Sequence, residues 1–234
     1  VDPSGFFYAP DPSSQLACTL AGNIAMNSGG AHCLKYGVTT NNVLGVKMVM
    51  MDGSVVEIGG EHLDAEGYDF LALIIGSEGQ LGIVTEATVR ILRQAEGARP
   101  MLIGFESTAK ASICVSRIIA SGIVPVAIEF MDRPAIEVCE AFAKAGYPLD
   151  VEALLIVEVE GSEEEIADRL AYIGGLAQEL GPSSLVISAD DAQSAGVAEP
   201  VRVDVGGLGG PGDQGRHRVL DDQPGPYLLV HQVR

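Results

Sequence analysis

Thr19-Leu20-Ala21-Gly22-Asn23-Ile24-Ala25-Met26-Asn27-Ser28-Gly29-Gly30, running on through His32 to Tyr36-Gly37, is the stretch around which the chain is organised. Glycines, small neighbours and two side-chain amides let main-chain N–H groups come within hydrogen-bonding distance of a ligand, because no Cβ blocks the approach. Such a segment suits an anionic or heteroaromatic cofactor. It is not a Walker loop, since no Gly-Lys-Ser/Thr follows. Nor does it carry the Gly-x-Gly-x-x-Gly order of a dinucleotide fingerprint, and no strand leads directly into it. Spacing alone leaves it a Gly-rich loop.

Two other stretches extend the pattern: Ala9-Pro10-Asp11-Pro12-Ser13-Ser14 before it and Gly76-Ser77-Glu78-Gly79-Gln80-Leu81-Gly82-Ile83-Val84-Thr85-Glu86-Ala87 after it. In that order the three resemble the flavin-binding domain of FAD-linked 2-hydroxy-acid dehydrogenases in the vanillyl-alcohol-oxidase-like superfamily. Gly29 to Gly37 (Gly-Gly-Ala-His-Cys-Leu-Lys-Tyr-Gly) and Ile128-Glu129-Phe130-Met131-Asp132 are similar to the FAD subunits of bacterial glycolate oxidases within that family. The resemblance covers residues 1 to about 193 and then stops.

The resemblance implies FAD as cofactor. It places Pro10, Thr19, Gly22, Asn23, Asn27, Ser28 and Gly30 along the flavin and its ribityl-diphosphate arm, with Tyr36 and Gly37 completing that wall. On chemistry alone, Asn23 and Asn27 can serve either a flavin carbonyl or the loop's own backbone. Glu78 is either a solvated turn carboxylate or, by resemblance, a partner for an FAD hydroxyl or amine. Gly82, Ile83 and Val84 would set strand backbone beside the adenine or flavin edge, Gly82 permitting the approach; without the resemblance they are an ordinary strand start. Imidazole is the side chain whose unperturbed titration falls near neutrality, so His32 could serve as a base or simply hydrogen-bond within the loop, and the catalytic residue stays unknown.

The implied reaction is oxidation of a small 2-hydroxy acid, glycolate to glyoxylate, with D-lactate or D-2-hydroxyglutarate as the alternative substrate. The implied partners are an electron acceptor and other oxidase subunits, an iron–sulfur subunit among them. A non-catalytic flavin-binding or scaffold subunit is the rival from another class. In the resembled family the loop cradling the FAD pyrophosphate lies ahead of everything seen here, and a metal held by His and Glu, with a basic residue for the substrate carboxylate, comes after about residue 193. Val1-Asp2 opens without an initiator Met. The expectation is a flavoprotein fragment lacking the substrate-activating half of its site.

Composition bounds the rest. At 234 residues and 47% apolar the chain can bury a sizeable core, about 70% of its unfolded surface. A formal charge of −18 repels phosphate backbones and anionic lipid, arguing against nucleic acid and membrane surfaces. Cys18, Cys33, Cys114 and Cys139 form no Cys-x-x-Cys pair and read as reduced thiols of a cytosolic protein. No apolar run reaches the roughly 20 residues needed to span a bilayer. A cytoplasmic location is expected, any contact with the inner face of the membrane coming through partner subunits.

Along the chain, residues 44–50 and 55–58 flank Asp52-Gly53, predicting a hairpin with a tight primed turn. Residues 68–75 read as a short buried helix ended by Gly76, and 83–93 as a strand covered mainly on one side. After a linker at 94–100, strand and helix alternate: strands near 101–106, 124–130, 154–159 and 185–188, helices capped by Ser107, Asp132 and the Ser162-x-x-Glu165 box. The expected class is α+β. A partial FAD-binding domain of the vanillyl-alcohol-oxidase-like type (1–95) precedes a ferredoxin-like cap domain (96–193), and a Gly/Pro-rich tail (194–234) reads as disordered or out of frame.

Overall fold

The computed structural model describes residues 4–12, 14, 17–62, 64, 65 and 67–188, together with the backbone of 217–219 and 227–231. The chain divides into two units, Val1–Gln94 with Asp204–Arg234, and Ala95–Val203.

The first unit opens with β1 (Phe6–Phe7), α1 (Leu20–Met26) and α2 (Cys33–Tyr36), then a 3-10 turn at Thr39–Asn41. Strands β2 (Val43–Val49) and β3 (Val55–Gly59), helix α3 (Phe70–Ile74), and strands β4 (Ile83–Arg90) and β5 (Leu92–Arg93) follow. β2 lies between β3 and β4, antiparallel to both, while β1 pairs with β5. Val43, Val46 and Met48 of β2 and Ala87 and Val89 of β4 meet Ile24 of α1, Ile74 and Ile75 in one buried cluster. Each of the Val, Ile and Met side chains contributes about 1.5–3 kcal/mol by leaving water. On another part of β2, the Lys47 ammonium sits 3.6 Å from Glu57 and 3.4 Å from Glu86.

Two local expectations need correction. The hairpin turn is not of the primed type. Gly53 N–H donates to the Met50 carbonyl at 3.0 Å, and among residues 50 to 53 only Gly53 has positive φ, at +83°. A primed turn needs positive φ at its first central residue, so this is a three-residue loop closed by a left-handed glycine. Asp52 Oδ1 accepts from the Ser54 N–H and hydroxyl, which holds its carboxyl below the usual carboxylate range. Helix α3 is shorter and wetter than expected: Ile74 and the adjoining Ile75 are buried, while Phe70 is 53% and Leu73 62% exposed. Five residues make little more than one turn, so only one side can reach the sheet. Asp69 caps it by accepting from Ala72 N–H at 2.9 Å.

The second unit runs β6 (Gly97–Phe105), α4 (Thr108–Ala120), β7 (Ala127–Asp132), α5 (Arg133–Ala143), β8 (Ala153–Gly161), α6 (Glu163–Gln178) and β9 (Ser184–Ile187). Its sheet has the order β7-β8-β6-β9, antiparallel throughout. That is the ferredoxin-like arrangement with α5 added between the second and third strands. Met101, Ile103 and Phe105 of β6 pack against Leu155 and Val157 of β8, and α4 and α6 cover them with Cys114, Ile118, Ile166, Leu170 and Ile173. Ser162 Oγ accepts from Glu165 N–H at 3.3 Å while Glu165 Oε2 accepts from Ser162 N–H at 3.0 Å, completing the capping box.

Residues expected to lack regular structure also join the first unit's sheet. β10 (His217–Val219) and β11 (Tyr227–His231) pair with each other, and β11 pairs antiparallel with β4, giving the order β10-β11-β4-β2-β3. Without them the outer edge of β4 would offer unpaired main-chain groups. The rest of the 194–234 tail lies outside the described residues. Among the described residues no helix is long and apolar enough to cross a membrane.

Candidate functional site

The stretch that reads as a Gly-rich loop is in large part a helix. Thr19, extended and outside the helix, accepts the Gly22 N–H on Oγ1 at 3.0 Å, so α1 starts immediately after it and carries Gly22 and Asn23 within its seven residues. Asn27 ends α1 in the left-handed conformation at φ 48°, and Ser28 N–H turns back to the Asn23 carbonyl at 2.9 Å. Sequence spacing misses this because α1 is short and two of its residues are ones that usually leave helices.

Two contacts lock the Ser-Glu-Gly turn onto the end of α1. Gly76 N–H donates to the Ile24 carbonyl at 2.9 Å, and Glu78 N–H to the Ala25 carbonyl at 2.8 Å. Glu78 itself takes positive φ, +56°, with its side chain exposed. Beyond the turn, Gly82 is buried where a Cβ would lie 2.5 Å from Met48 Cε and 2.6 Å from the Val49 carbonyl oxygen. Val84 then packs beside Leu20 and Ile24, whereas Ile83 is 69% exposed. Thr19, Gly22, Asn23, Asn27, Ser28, Glu78, Gly82, Ile83 and Val84 therefore belong to one neighbourhood built from α1, the 76–79 turn and the start of β4.

Pro10, Gly30, Tyr36 and Gly37 form a second group. Pro12 makes a β-bridge with Gly30, and a Cβ on Gly30 would overlap the Asp11 carbonyl oxygen. The missing side chain at Gly30 thus accommodates the chain's own backbone at Asp11. Gly30 N–H also donates to Cys33 Sγ at 3.0 Å. His32 Nδ1 lies 3.5 Å from Asp11 Oδ2, both side chains about a quarter exposed. The Tyr36 ring meets Phe7 edge-on at 5.6 Å, and Gly37 has φ +77° where a Cβ would strike Asn41.

The 3-10 turn ties the two groups together. Asn27 Oδ1 accepts from Thr40 N–H at 3.0 Å, and the Ser28 carbonyl accepts both the Thr39 N–H at 3.1 Å and its hydroxyl at 2.7 Å. Asn42, fully buried, donates from Nδ2 to the Tyr36 and Val38 carbonyls, each at 3.0 Å. Sequence reasoning passes over Thr39 and Asn42. Nothing in Thr39-Thr40-Asn41-Asn42 distinguishes these structural amides and hydroxyls from an ordinary polar turn. Tyr8 lies nearby with its hydroxyl buried and making no hydrogen bond among the described residues; burial pushes its pKa well up.

The chain belongs to the FAD-linked oxidases: residues 1–59 match the FAD binding domain and residues 95–202 match the C-terminal domain of FAD linked oxidases. Within that class it is similar to the glycolate oxidase subunit GlcD of Escherichia coli (strain K12), 42% identical over 193 residues, covering 82% of this chain and 39% of that protein. GlcD of Bacillus subtilis (strain 168) is 43% identical over 167 residues, 71% of this chain and 36% of the relative. A D-lactate dehydrogenase of Archaeoglobus fulgidus is 35% identical over 179 residues, 76% and 39% respectively. The chain spans about two-fifths of the length of these relatives. An alkyldihydroxyacetonephosphate synthase shares the fold at TM-score 0.69 and 21% identity, over 82% of this chain and 39% of that one.

The donor set fits an FAD. Thr19 Oγ1 has taken the Gly22 N–H and still carries its own hydrogen; Asn27 has committed Oδ1 to Thr40 and keeps two N–H donors on Nδ2. Beside these polar groups Met26, 61% exposed, and Ile83 offer apolar surface. A flat heteroaromatic with a polar arm needs both kinds of contact.

Proposed function

We propose that this chain binds FAD between the α1 end and the start of β4 and forms part of an enzyme that oxidises a small 2-hydroxy acid, glycolate to glyoxylate. The reading is supported above all by 42% identity to GlcD across 193 residues, 82% of this chain. When bound, FAD supplies the two-electron acceptor. This chain's residues bind and orient it: Thr19, Asn27 and Ser28 through hydroxyl and amide hydrogens, and Pro10, Gly30, Tyr36 and Gly37 as the second wall. Asn23, buried at the α1 interior, and Gly22 fix the helix that presents these groups. In this reading the exposed Glu78 carboxylate accepts from an FAD hydroxyl or amine, with Gly82, Ile83 and Val84 alongside.

D-lactate is the alternative substrate, favoured by the 35% identity to a D-lactate dehydrogenase; D-2-hydroxyglutarate is a further candidate. The relatives named as subunits support an assembly with other subunits; in this reading one of these is an iron–sulfur subunit that passes electrons onward, in the cytoplasm or at the inner face of the membrane. The domain limits 1–95 and 96–193 belong to this reading.

The test is direct. Purified protein should be yellow after reconstitution with FAD, and anaerobic glycolate should bleach its flavin absorbance. Protein that stays colourless with excess FAD overturns the reading. Protein that binds FAD but is bleached only by D-lactate replaces glycolate with the alternative, and protein that binds FAD but responds to no hydroxy acid favours a non-catalytic flavin-binding subunit.

A further inference from the structure

We infer that Asp11 and His32 form a pH-dependent brace that sets how firmly the second wall holds FAD, an inference that rests on the FAD reading above. Asp11 has φ +36°, a conformation L residues adopt at a cost, although Asp tolerates it better than most. Its carbonyl lies over Gly30, its neighbour Pro12 bridges to Gly30, and its carboxylate faces the His32 imidazole at 3.5 Å. Gly30 is in turn held to α2 through its N–H on Cys33 Sγ at 3.0 Å. The 10–12 segment and the Gly30-to-Gly37 segment are thereby fastened together at main chain and side chain.

Of these fastenings only the imidazole–carboxylate pair changes charge around neutrality. Among the described residues, Asp11 on the 10–12 segment faces His32 at 3.5 Å, and Cys33, Lys35 and Tyr36 follow it on α2. Cys33 is engaged with Gly30, and the Lys35 ammonium lies 5.4 Å over the Tyr36 ring. Below the imidazole titration, His32 is cationic and pulls Asp11 into place. Above it the charge attraction is gone, and Asp11 is held in its strained backbone conformation by fewer contacts. Pro10 and Gly30, which flank Asp11 on the proposed wall, then have more freedom, so FAD binding weakens as pH rises. Asp11 and His32 are positioning residues in this scheme; neither needs to touch the reacting atoms.

The experiment titrates the full 234-residue chain with FAD from pH 5.5 to 8.5, following quenching of flavin fluorescence, for the wild type, His32→Gln, Asp11→Asn and the double variant. For an ion pair this accessible the wild-type Kd should rise about two- to fivefold across the range. Each single variant should be flat and sit near the high-pH wild-type value, and the double variant should be no weaker than either single. A structural role alone would weaken binding equally at every pH. A wild-type Kd that does not change, or a His32→Gln variant with the wild-type pH dependence, overturns the brace while the FAD reading stands. Should Asp11→Asn fail to fold, His32→Gln alone decides. Absence of FAD binding at every pH overturns both.

Discussion

Arg90 donates from Nη2 to Asn42 Oδ1 at 3.1 Å, and the Asn42 carbonyl accepts the Arg90 N–H at 2.8 Å. Since Asn42 Nδ2 also serves the Tyr36 and Val38 carbonyls, one buried amide joins the end of β4 to the turn that carries Tyr36 and Gly37. A buried polar group wired on every side is costly to unwire, because each orphaned partner keeps its desolvation penalty.

Asn42→Ala should therefore destabilise the protein by about 2–3 kcal/mol, more than an average substitution. Urea unfolding would measure it. A loss below about 1 kcal/mol would mean that water replaces the amide and that the turn is not fixed from within.

Gly30 and Gly22 should respond unequally to alanine. At Gly30 the added Cβ overlaps the Asp11 carbonyl, so Gly30→Ala should displace the 10–12 segment and lower the melting temperature along with FAD retention. At Gly22 the Cβ comes 3.2 Å from Thr19 Oγ1 and the site is helical, so Gly22→Ala should change stability by less than about 1 kcal/mol. Paired thermal melts of the two variants provide the comparison.

Ser162→Ala removes the hydroxyl that caps α6 and should cost about 1 kcal/mol, with Glu165→Ala costing a similar amount through the other half of the box. Chemical denaturation of both variants and of the pair should show the two losses to be less than additive, because each removes part of one reciprocal unit.

Alkaline pH should unfold the protein partly through Tyr8. Burial raises the folded-state pKa of its phenol above the unfolded value of about 10, so the folded chain retains a proton that the unfolded chain releases. Its contribution is fully present below about pH 10 and is lost as pH rises from there toward the higher folded value. Tyr8→Phe should blunt this loss and should not destabilise at pH 7, since the hydroxyl it removes is buried without a hydrogen bond. Unfolding midpoints at pH 7 and above pH 10 for the two proteins decide it.

FAD should raise the melting temperature. A ligand that binds only the folded chain adds about 2.7 kcal/mol at a hundred times its Kd. Calorimetry with and without FAD checks this, and an unchanged melting temperature at saturating FAD would count against the proposed site.

The sequence announces those parts of the fold whose cause is local. The Ser162-x-x-Glu165 box, Asp132 before Pro134 and the alternation of apolar runs with 3.6-residue stripes make the ferredoxin-like unit readable, because each signal lies within a few residues of its effect. Asp52-Gly53 marks the hairpin but not its turn type, which depends on where the glycine falls relative to the Met50 carbonyl. The role of Gly30 is hidden for another reason. Its constraint comes from Asp11, nineteen positions earlier, and no pattern around Gly30 says what lies against it. Asn42 is hidden in the same way, its partner Arg90 being on a distant strand. The motifs name the neighbourhood of the candidate site; the hydrogen bonds that shape it connect residues far apart in the chain.

Tyr68, just ahead of α3, and Phe70, ring to ring at 6.0 Å, are exposed to solvent together with Leu73. At pH 7 the net charge of −18 keeps copies of the chain apart and this oily patch idle. Near the isoelectric point of about 4.4 that mutual repulsion disappears, so on mild acidification the molecules should cloud the solution by sticking at this patch before they lose their fold.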